Sequence, residues 1–198
     1  MSAPPVEFWF EFASTYSYPA AMRIEAVAKA HGRELIWRPF LLGPIFKAQG
    51  WDTSPFNIYP AKGRYMWRDL ARICAELQLP LLQPSVFPRN GLLAARVACA
   101  AQESPWLPAF VRNVYSASFA RDLDISDSAV VRSCLEGLVP DPDAALDAAQ
   151  REDTKARLRA NTERAIQLGL FGSPSFVVGS EVFWGNDRME QAMRWGST

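Results

Sequence analysis

No two cysteines in this sequence are spaced as Cys-x-x-Cys, and the three present, Cys74, Cys99 and Cys134, are far apart and odd in number. With one histidine, His31, they offer neither metal-ligand spacing nor a disulfide framework. Gly-x-Ser-x-Gly is missing too, which disfavours a serine hydrolase. Net charge is absent: 21 basic residues balance 21 acidic ones. Without a broad positive field the chain is a poor non-specific nucleic-acid binder, and a small-molecule partner is expected instead. No apolar run approaches the roughly 20 residues that span a bilayer, and the apolar start from Val6 to Phe12 is broken by Glu7 and Glu11. No charged segment leads into an apolar stretch and a cleavage site, so the cytoplasm is the expected compartment, with no membrane partner.

What is there suits one core, or one domain carrying a large insertion: 49% of residues are apolar and 21% charged. Cys74 shares a helical stripe with Leu70, Ile73 and Leu77, and Cys99 lies in the small-residue run Ala98 to Ala101, so buried structural thiols are expected. His31, beside Gly32, reads as a helix C-terminal cap.

Val6, Phe8, Phe10 and Phe12 alternate with Glu7, Trp9 and Glu11, which predicts a strand over 6–12 with two unlike faces. A turn over Ser14 to Tyr18, Pro19 in a first helical turn and Gly32 at an end predict a helix from Tyr18 to His31. Glu34 to Phe40 follows as a strand, completing a parallel βαβ unit. From Pro44 to Leu168 helical spacing takes over, with helices at 62–79, 90–102, 106–119, 126–137 and 141–168, the last in two pieces. Strand signals return after Gly169, as a hairpin of 175–178 and 181–184 and a short helix over 187–195. That order is an α/β, thioredoxin-like fold with a large all-helical insertion: 1–43 and 169–198 form the thioredoxin-like domain and 44–168 the inserted helical domain.

Three short motifs carry a resemblance. Phe10-Glu11-Phe12-Ala13-Ser14-Thr15-Tyr16-Ser17-Tyr18 ends a strand, Phe171-Gly172-Ser173-Pro174-Ser175-Phe176 precedes one, and Phe183-Trp184-Gly185-Asn186-Asp187-Arg188 opens the last helix. Together with Pro60-Ala61-Lys62-Gly63-Arg64-Tyr65-Met66-Trp67-Arg68-Asp69 they resemble the DsbA-like branch that holds kappa-class glutathione transferases and, more closely, 2-hydroxychromene-2-carboxylate isomerases. The sequence departs from that pattern in carrying Thr15 for proline and Pro19 for leucine. It also has a longer stretch from Gly50 to Lys62, with Trp51 where some relatives carry a glutathione-contacting asparagine; Asn57 is the substitute candidate.

The resemblance implies a glutathione-dependent isomerase of 2-hydroxychromene-2-carboxylate-type aromatic acids, in aromatic catabolism, in which a thiol adds reversibly to the substrate. It also implies glutathione as cofactor and a homodimer. The alternatives are a kappa-like glutathione transferase or peroxidase and a non-catalytic glutathione-binding module.

Ser14 is the implied catalytic residue, lying past the strand at the mouth of the first helix, where unpaired N–H groups favour an anion. Redox relatives carry a cysteine there, so with serine the sulfur comes from a ligand. Moving a thiol pKa from about 8.5 to near 7 takes roughly 2 kcal/mol. A hydroxyl hydrogen bond to a charge contributes about 1.5–3 kcal/mol and a helix end about 0.3–1, which is enough without a catalytic base. An ordinary helix cap is the competing role for Ser14, and turn or cap roles are expected for Thr15 and Ser17.

Pro174 is expected to follow a cis bond, leaving Ser173 to pair with a peptide-like ligand as a short added strand; a trans proline is the alternative. The resemblance gives Trp184, Asn186, Asp187 and Arg188 to the γ-glutamyl end, with Asp187 facing its ammonium, while a capping box of Asp187 with Glu190 competes. For the aromatic acid the candidates are Tyr16, which could equally be a core residue, and Lys47 as the carboxylate's cation. Arg64, Arg68 and Arg89 are weaker options, the first two sharing one solvated stripe with Arg72.

Overall fold

The computed structural model describes residues 4–196; the outermost ends of the expected domain ranges, 1–3 and 197–198, lie outside the described residues. Val6–Phe10 forms β1, Ser17–Ala30 α1 and Leu35–Pro39 β2. Helices then run as α2 (Leu42–Ala48), α3 (Pro55–Ile58), α4 (Pro60–Glu76), α5 (Leu92–Ala100), α6 (Leu107–Ala120), α7 (Ser128–Ser133), α8 (Pro142–Gln150) and α9 (Glu152–Gln167). Ser175–Val178 is β3 and Glu181–Trp184 is β4, and a 3₁₀ turn over Asn186–Arg188 leads into α10 (Met189–Arg194).

The four strands make one sheet of order β2-β1-β3-β4. β1 runs parallel to β2, with Val6 opposite Leu35, and antiparallel to β3, with Phe8 opposite Phe176. β3 and β4 form the hairpin, Phe176 facing Phe183. Strands from opposite ends of the chain therefore meet at the sheet's centre, and the turn leaving β1 comes to lie beside the loop entering β3.

Alternation along β1 sends Val6, Phe8 and Phe10 to a face packed on Ala20, Ala21 and Ile24 of α1 and Met193 of α10, all buried. The same cluster continues through α5 and α6, so the sheet and the intervening helices share one core. The opposite face is not the polar one that the alternation suggests. Trp9 is 1% exposed and packs with Phe40, Ile45, Ala165 and Val177, because α2 and α9 cover that side. Its indole N–H donates to Glu7 Oε2 at 3.1 Å, and Glu7 is ion-paired with Arg38 at 2.9 Å, so the polar groups on this face are partnered.

β1 stops at Phe10 rather than Phe12 because the main chain of Glu11 finds other partners. Its N–H donates to Ser173 Oγ at 3.0 Å and its carbonyl accepts from the Tyr115 hydroxyl at 2.9 Å. The stretch 42–58, ahead of the first helix expected at 62–79, holds α2 and α3. α3 rests on α4 through Gly63, where a Cβ would lie 2.3 Å from the main-chain oxygen of Phe56. Since that oxygen belongs to backbone, Gly63→Ala forces the two helices apart. We expect a loss of about 1–3 kcal/mol of stability, read as a lower urea midpoint at unchanged m-value.

Candidate functional site

Four serine-centred hydrogen bonds link the turn after β1 to the loop before β3. The Glu11 N–H donates to Ser173 Oγ at 3.0 Å, the Ser173 and Ser17 hydroxyls are 2.7 Å apart, Ser17 Oγ donates to Ser14 Oγ at 3.0 Å, and Ser14 Oγ donates to the Ser173 carbonyl at 2.6 Å. A hydroxyl has one hydrogen to give. Ser17 spends its own on Ser14, so Ser173 is the donor to Ser17, and the chain has a single direction ending at Ser14. Ser17, expected as a turn residue, is fully buried inside this chain.

Ser14 is not the helix cap. The cap of α1 is Tyr16, and from the helix main chain Ser14 Oγ accepts a single long hydrogen bond, 3.4 Å from the Ser17 N–H. Ser173–Pro174 is a cis peptide bond, as is Phe87–Pro88. The Pro174 carbonyl accepts the Gly185 N–H at 3.0 Å, tying this loop to the end of β4. Among the described residues the Ser173 N–H has no hydrogen-bond partner in the chain, so it faces the site as a free donor.

These groups line a cavity of about 560 Å³, within the range of small-molecule sites. Its walls are the two turns, α2, the 49–56 segment, the N-terminal turn of α4, the 87–92 segment and Trp184. Most of the lining is apolar, with Phe46, Trp51, Phe56, Phe87, Phe171 and Trp184 contributing rings. Trp184 is half exposed at the mouth, 5.0 Å from the Phe171 ring centroid. A Cβ on Gly172 would meet its indole nitrogen at 2.3 Å, so only glycine lets that ring lie across the loop.

Of the residues singled out from sequence, Ser14, Tyr16, Ser173 and Trp184 line this cavity together. The Tyr16 hydroxyl donates to Asp69 Oδ2 at 3.0 Å, and its phenol is pushed far above its usual pKa, by burial first and then by that hydrogen bond. Asn186, Asp187 and Arg188 are not among the lining residues; they form the 3₁₀ turn that follows Trp184, which is. Asp187 caps nothing: the 3₁₀ turn is capped by Gly185 and α10 by Arg188, neither through a side chain, and Glu190 pairs with Arg23. Its exposed carboxylate has one ionic contact, Arg188 at 3.4 Å. Asn186 is buried and its side-chain oxygen accepts from Arg23 Nε at 3.1 Å.

Lys47 and Asn57 sit on the helices that frame the cavity but are not among its lining residues. Lys47 is exposed on α2, and the Asn57 side chain donates to the Phe87 carbonyl at 3.0 Å, holding α3 to the 87–92 segment. The lining cations are Lys62 and Arg89. Arg89 is 7% exposed, ion-paired with Asp122, and donates to the Leu123 carbonyl at 2.6 Å, so it is committed to structure. Lys62 has no carboxylate partner among the described residues; its ammonium lies 5.6 Å from the Phe56 ring centroid. The Arg64, Arg68 and Arg72 side chains are exposed.

One lining group that the sequence analysis quoted without a role is Glu11. Its Oε2 accepts the Ala13 N–H at 2.9 Å, immediately before Ser14. Burial raises its pKa from 4.5 to about 7, against the lowering effect of the Ala13 and Ser14 N–H groups. The only signal in the sequence was a carboxylate at an alternating position of an otherwise apolar strand end. The three cysteines are free, buried and remote from this chemistry, with burial lifting Cys74 to about 11 and Cys99 to about 12. Among the described residues no cluster of His, Cys, Asp and Glu could hold a metal ion.

Residues 5–194 match the family described as the DSBA-like thioredoxin domain. A 2-hydroxychromene-2-carboxylate isomerase of Sphingobium xenophagum is 29% identical, over 93% of this chain and 94% of that protein. The kappa 1 glutathione S-transferase of Rattus norvegicus is 27% identical, over 95% and 89%. A solved 2-hydroxychromene-2-carboxylate isomerase superposes with a TM-score of 0.83 at 24% identity, over 94% of this chain and 91% of its own. That likeness bears on the fold, which it shares. No helix among the described residues is long and apolar enough to cross a membrane.

The raised pKa of Glu11 makes a stability prediction. A carboxyl harder to ionise in the folded state than in the unfolded one favours folding most below about 4.5, and that contribution is lost as pH climbs through about 7. Glutamine cannot ionise. Relative to the native protein, Glu11→Gln should therefore gain stability across this window, by on the order of 3 kcal/mol, read from urea melts at the two ends.

Proposed function

The chain belongs to the DSBA-like thioredoxin domain family, and from that premise we propose that it is a glutathione-dependent isomerase of aromatic acids of the 2-hydroxychromene-2-carboxylate type. The observation that carries the reading is the one-directional hydroxyl chain that ends at Ser14, beside the Ser173–Pro174 loop, in an aromatic-walled cavity. The named relatives are enzymes, and their pairwise similarity covers nearly the whole chain. Three free thiols suit a reducing, cytoplasmic setting.

The donor set fits a γ-glutamyl tripeptide thiol. Ser173 offers an unpartnered N–H, and its carbonyl is held only by the Ser14 hydroxyl, so the two can pair with a peptide backbone as an added strand. Asp187 suits the ammonium, and Lys62 suits a carboxylate. When bound, glutathione supplies a sulfur nucleophile that adds reversibly to a conjugated carbon, turning a stiff double bond into a rotatable single one.

The chain's part is to orient and to stabilise charge. Ser14 can turn its hydrogen from the Ser173 carbonyl to an anion in the cavity, while that carbonyl accepts a ligand N–H in its place. The other hydroxyls hold Ser14 in position and need no rearrangement at that moment. Rings of Phe46, Trp51, Phe56, Phe171 and Trp184 give an aromatic acid its apolar contact and keep water out. A transferase reading shares every thiol contact and differs only in the acceptor; the 27% identity to the kappa enzyme over most of both chains favours keeping it as the rival.

Incubation with glutathione and a hydroxychromene carboxylate should interconvert isomers with no net loss of glutathione. Stoichiometric conjugate with chlorodinitrobenzene and no isomerisation would move the assignment to the transferase. Removing one hydroxyl donor to an anion costs about 1.5–3 kcal/mol, so Ser14→Ala should lower kcat/KM roughly 10- to 150-fold while glutathione still binds. Asp187→Asn should do the reverse, weakening glutathione binding several-fold in calorimetry with kcat little changed.

A further inference from the structure

Ser14 can turn its hydrogen to an anion, yet no group of the hydroxyl chain can take away a proton. Ser14, Ser17 and Ser173 each pass their one hydrogen along a fixed direction, and the chain ends at a main-chain carbonyl. A neutral thiol entering this site brings a proton that must leave before the sulfur carries charge. The lining offers few places for it. Tyr16 is engaged with Asp69, Lys62 and Arg89 are already cations, and Asp52 lies exposed on the 49–56 segment. Glu11 remains, part-buried in the wall and three residues before Ser14.

The placement of Glu11 is built rather than incidental. Its N–H is fixed on Ser173 Oγ and its carbonyl on the Tyr115 hydroxyl of α6, while its own Oε2 is held by the Ala13 N–H. Those bonds pin the residue at both main-chain ends and aim the carboxyl along the turn that carries Ser14. Among the described residues no ion pair involves it. The groups bonded to it from neighbouring elements, the Tyr115 phenol from α6 on its carbonyl and the Ser173 hydroxyl from the loop before β3 on its N–H, are uncharged.

We propose that Glu11 is the proton acceptor of the site: its carboxylate takes the proton of the incoming thiol at a carboxyl oxygen and gives it back when the sulfur is released. This rests on the glutathione reading above. As the S–H bond breaks, the electron pair stays on sulfur, an O–H bond forms on Glu11, and the charge of the site is unchanged. The alternative, two anions a few ångströms apart in an apolar wall, is what the exchange avoids. Burial sets the affinity of this carboxyl for a proton near that of a thiol stabilised by Ser14, so the transfer runs without a large uphill step in either direction.

The test counts protons. Glutathione binding is measured by calorimetry at about pH 8 in two buffers of different ionisation enthalpy, with the ultraviolet thiolate band recorded alongside. In the native protein the band should appear with close to zero protons released, because the thiol proton stays on Glu11. In Glu11→Gln the band should appear with about 0.8 protons released per glutathione, the fraction a thiol of ordinary pKa still holds there. A count in Glu11→Gln equal to the native one, with the band present, overturns the inference and leaves the glutathione reading standing. No thiolate band in the native protein overturns both. Where Glu11→Gln does not fold, carboxyl carbon NMR of the native protein decides. One glutamate signal should move to its protonated position with glutathione and not with S-methylglutathione, and the absence of that movement overturns the proposal.

Discussion

A hydrogen bond of 2.6 Å from the Ser14 hydroxyl to the Ser173 carbonyl joins two turns that are 159 residues apart in the chain. It exists because β1 and β3 are neighbours in the sheet and antiparallel, so the end of one and the start of the other share an edge. Everything chemical in the protein is arranged about this bond. The cis Ser173–Pro174 bond brings the carbonyl to the hydroxyl, Ser17 and Ser173 fix the direction of donation, and Pro174 in turn holds the end of β4 through Gly185. The aromatic cavity opens from the same spot. A residue whose hydrogen is spent on a main-chain carbonyl is in reserve: a peptide ligand can claim the carbonyl and free the hydrogen in one event, so little hydrogen bonding is lost on binding.

The electrostatics of the site follow from what the wall excludes. Serine cannot ionise near neutral pH, so the protein carries no resident charge where redox relatives of the fold carry a thiolate. Of the two cations in the cavity wall, Arg89 is bound to Asp122 and to main-chain carbonyls, and Lys62 lies against the Phe56 ring. Preference for an anion therefore comes from oriented dipoles: one hydroxyl, the N-terminus of the 14-residue α1, and the Ser173 N–H. Such dipoles stabilise a negative charge without holding one of opposite sign in place, which leaves Glu11 ungoverned by any salt bridge and its proton affinity set by burial.

The sheet was legible in the sequence because its strands alternate. The hairpin 175–178 and 181–184 and the parallel pair have the expected pairing, and the thioredoxin-like order with helices between is what the chain forms. Where the reading departed, a tertiary partner had overridden a local pattern. Phe12 continues the apolar alternation, yet the strand ends at Phe10 since Ser173 and Tyr115 claim the main chain of Glu11. Trp9 occupies a polar-face position and is buried under α2 and α9. Helices α2 and α3 hide among Gly43, Pro44, Gly50 and Pro55, residues that punctuate a sequence but here sit at helix starts and joints. Asp187 and Glu190 have capping-box spacing, yet the pull of Arg23 on Glu190 leaves no such box. Among the cavity's lining residues, Ser14, Ser173 and Tyr16 were readable from motifs, whereas the presence of Lys62 and not Lys47 in the wall and the engagement of Ser17 depend on packing between helices that no spacing rule encodes.

Arg23 shows how the fold keeps the exposed acid of the 3₁₀ turn, Asp187, available. Its guanidinium donates to the Asn186 side chain at 3.1 Å and the Asn186 main-chain oxygen at 2.7 Å, and pairs with Glu190. These bonds tie the 3₁₀ turn to α1, the helix whose N-terminus faces the cavity. Arg23 thus satisfies Asn186 and Glu190 and leaves the Asp187 carboxylate out at the surface, with Gly185 in a positive-φ conformation that no side chain could share with the Asp187 Oδ1 lying 2.5 Å from its would-be Cβ. An exposed acid whose one ionic contact is the neighbouring Arg188, at 3.4 Å, is open to a cation from outside, and the turn that carries it is tied to α1. The ammonium and the sulfur of a tripeptide thiol would then be read by groups on two turns that both adjoin α1, the 3₁₀ turn through Arg23 and the Ser14 turn through Ser17, so that recognition of the one and polarisation of the other share a support.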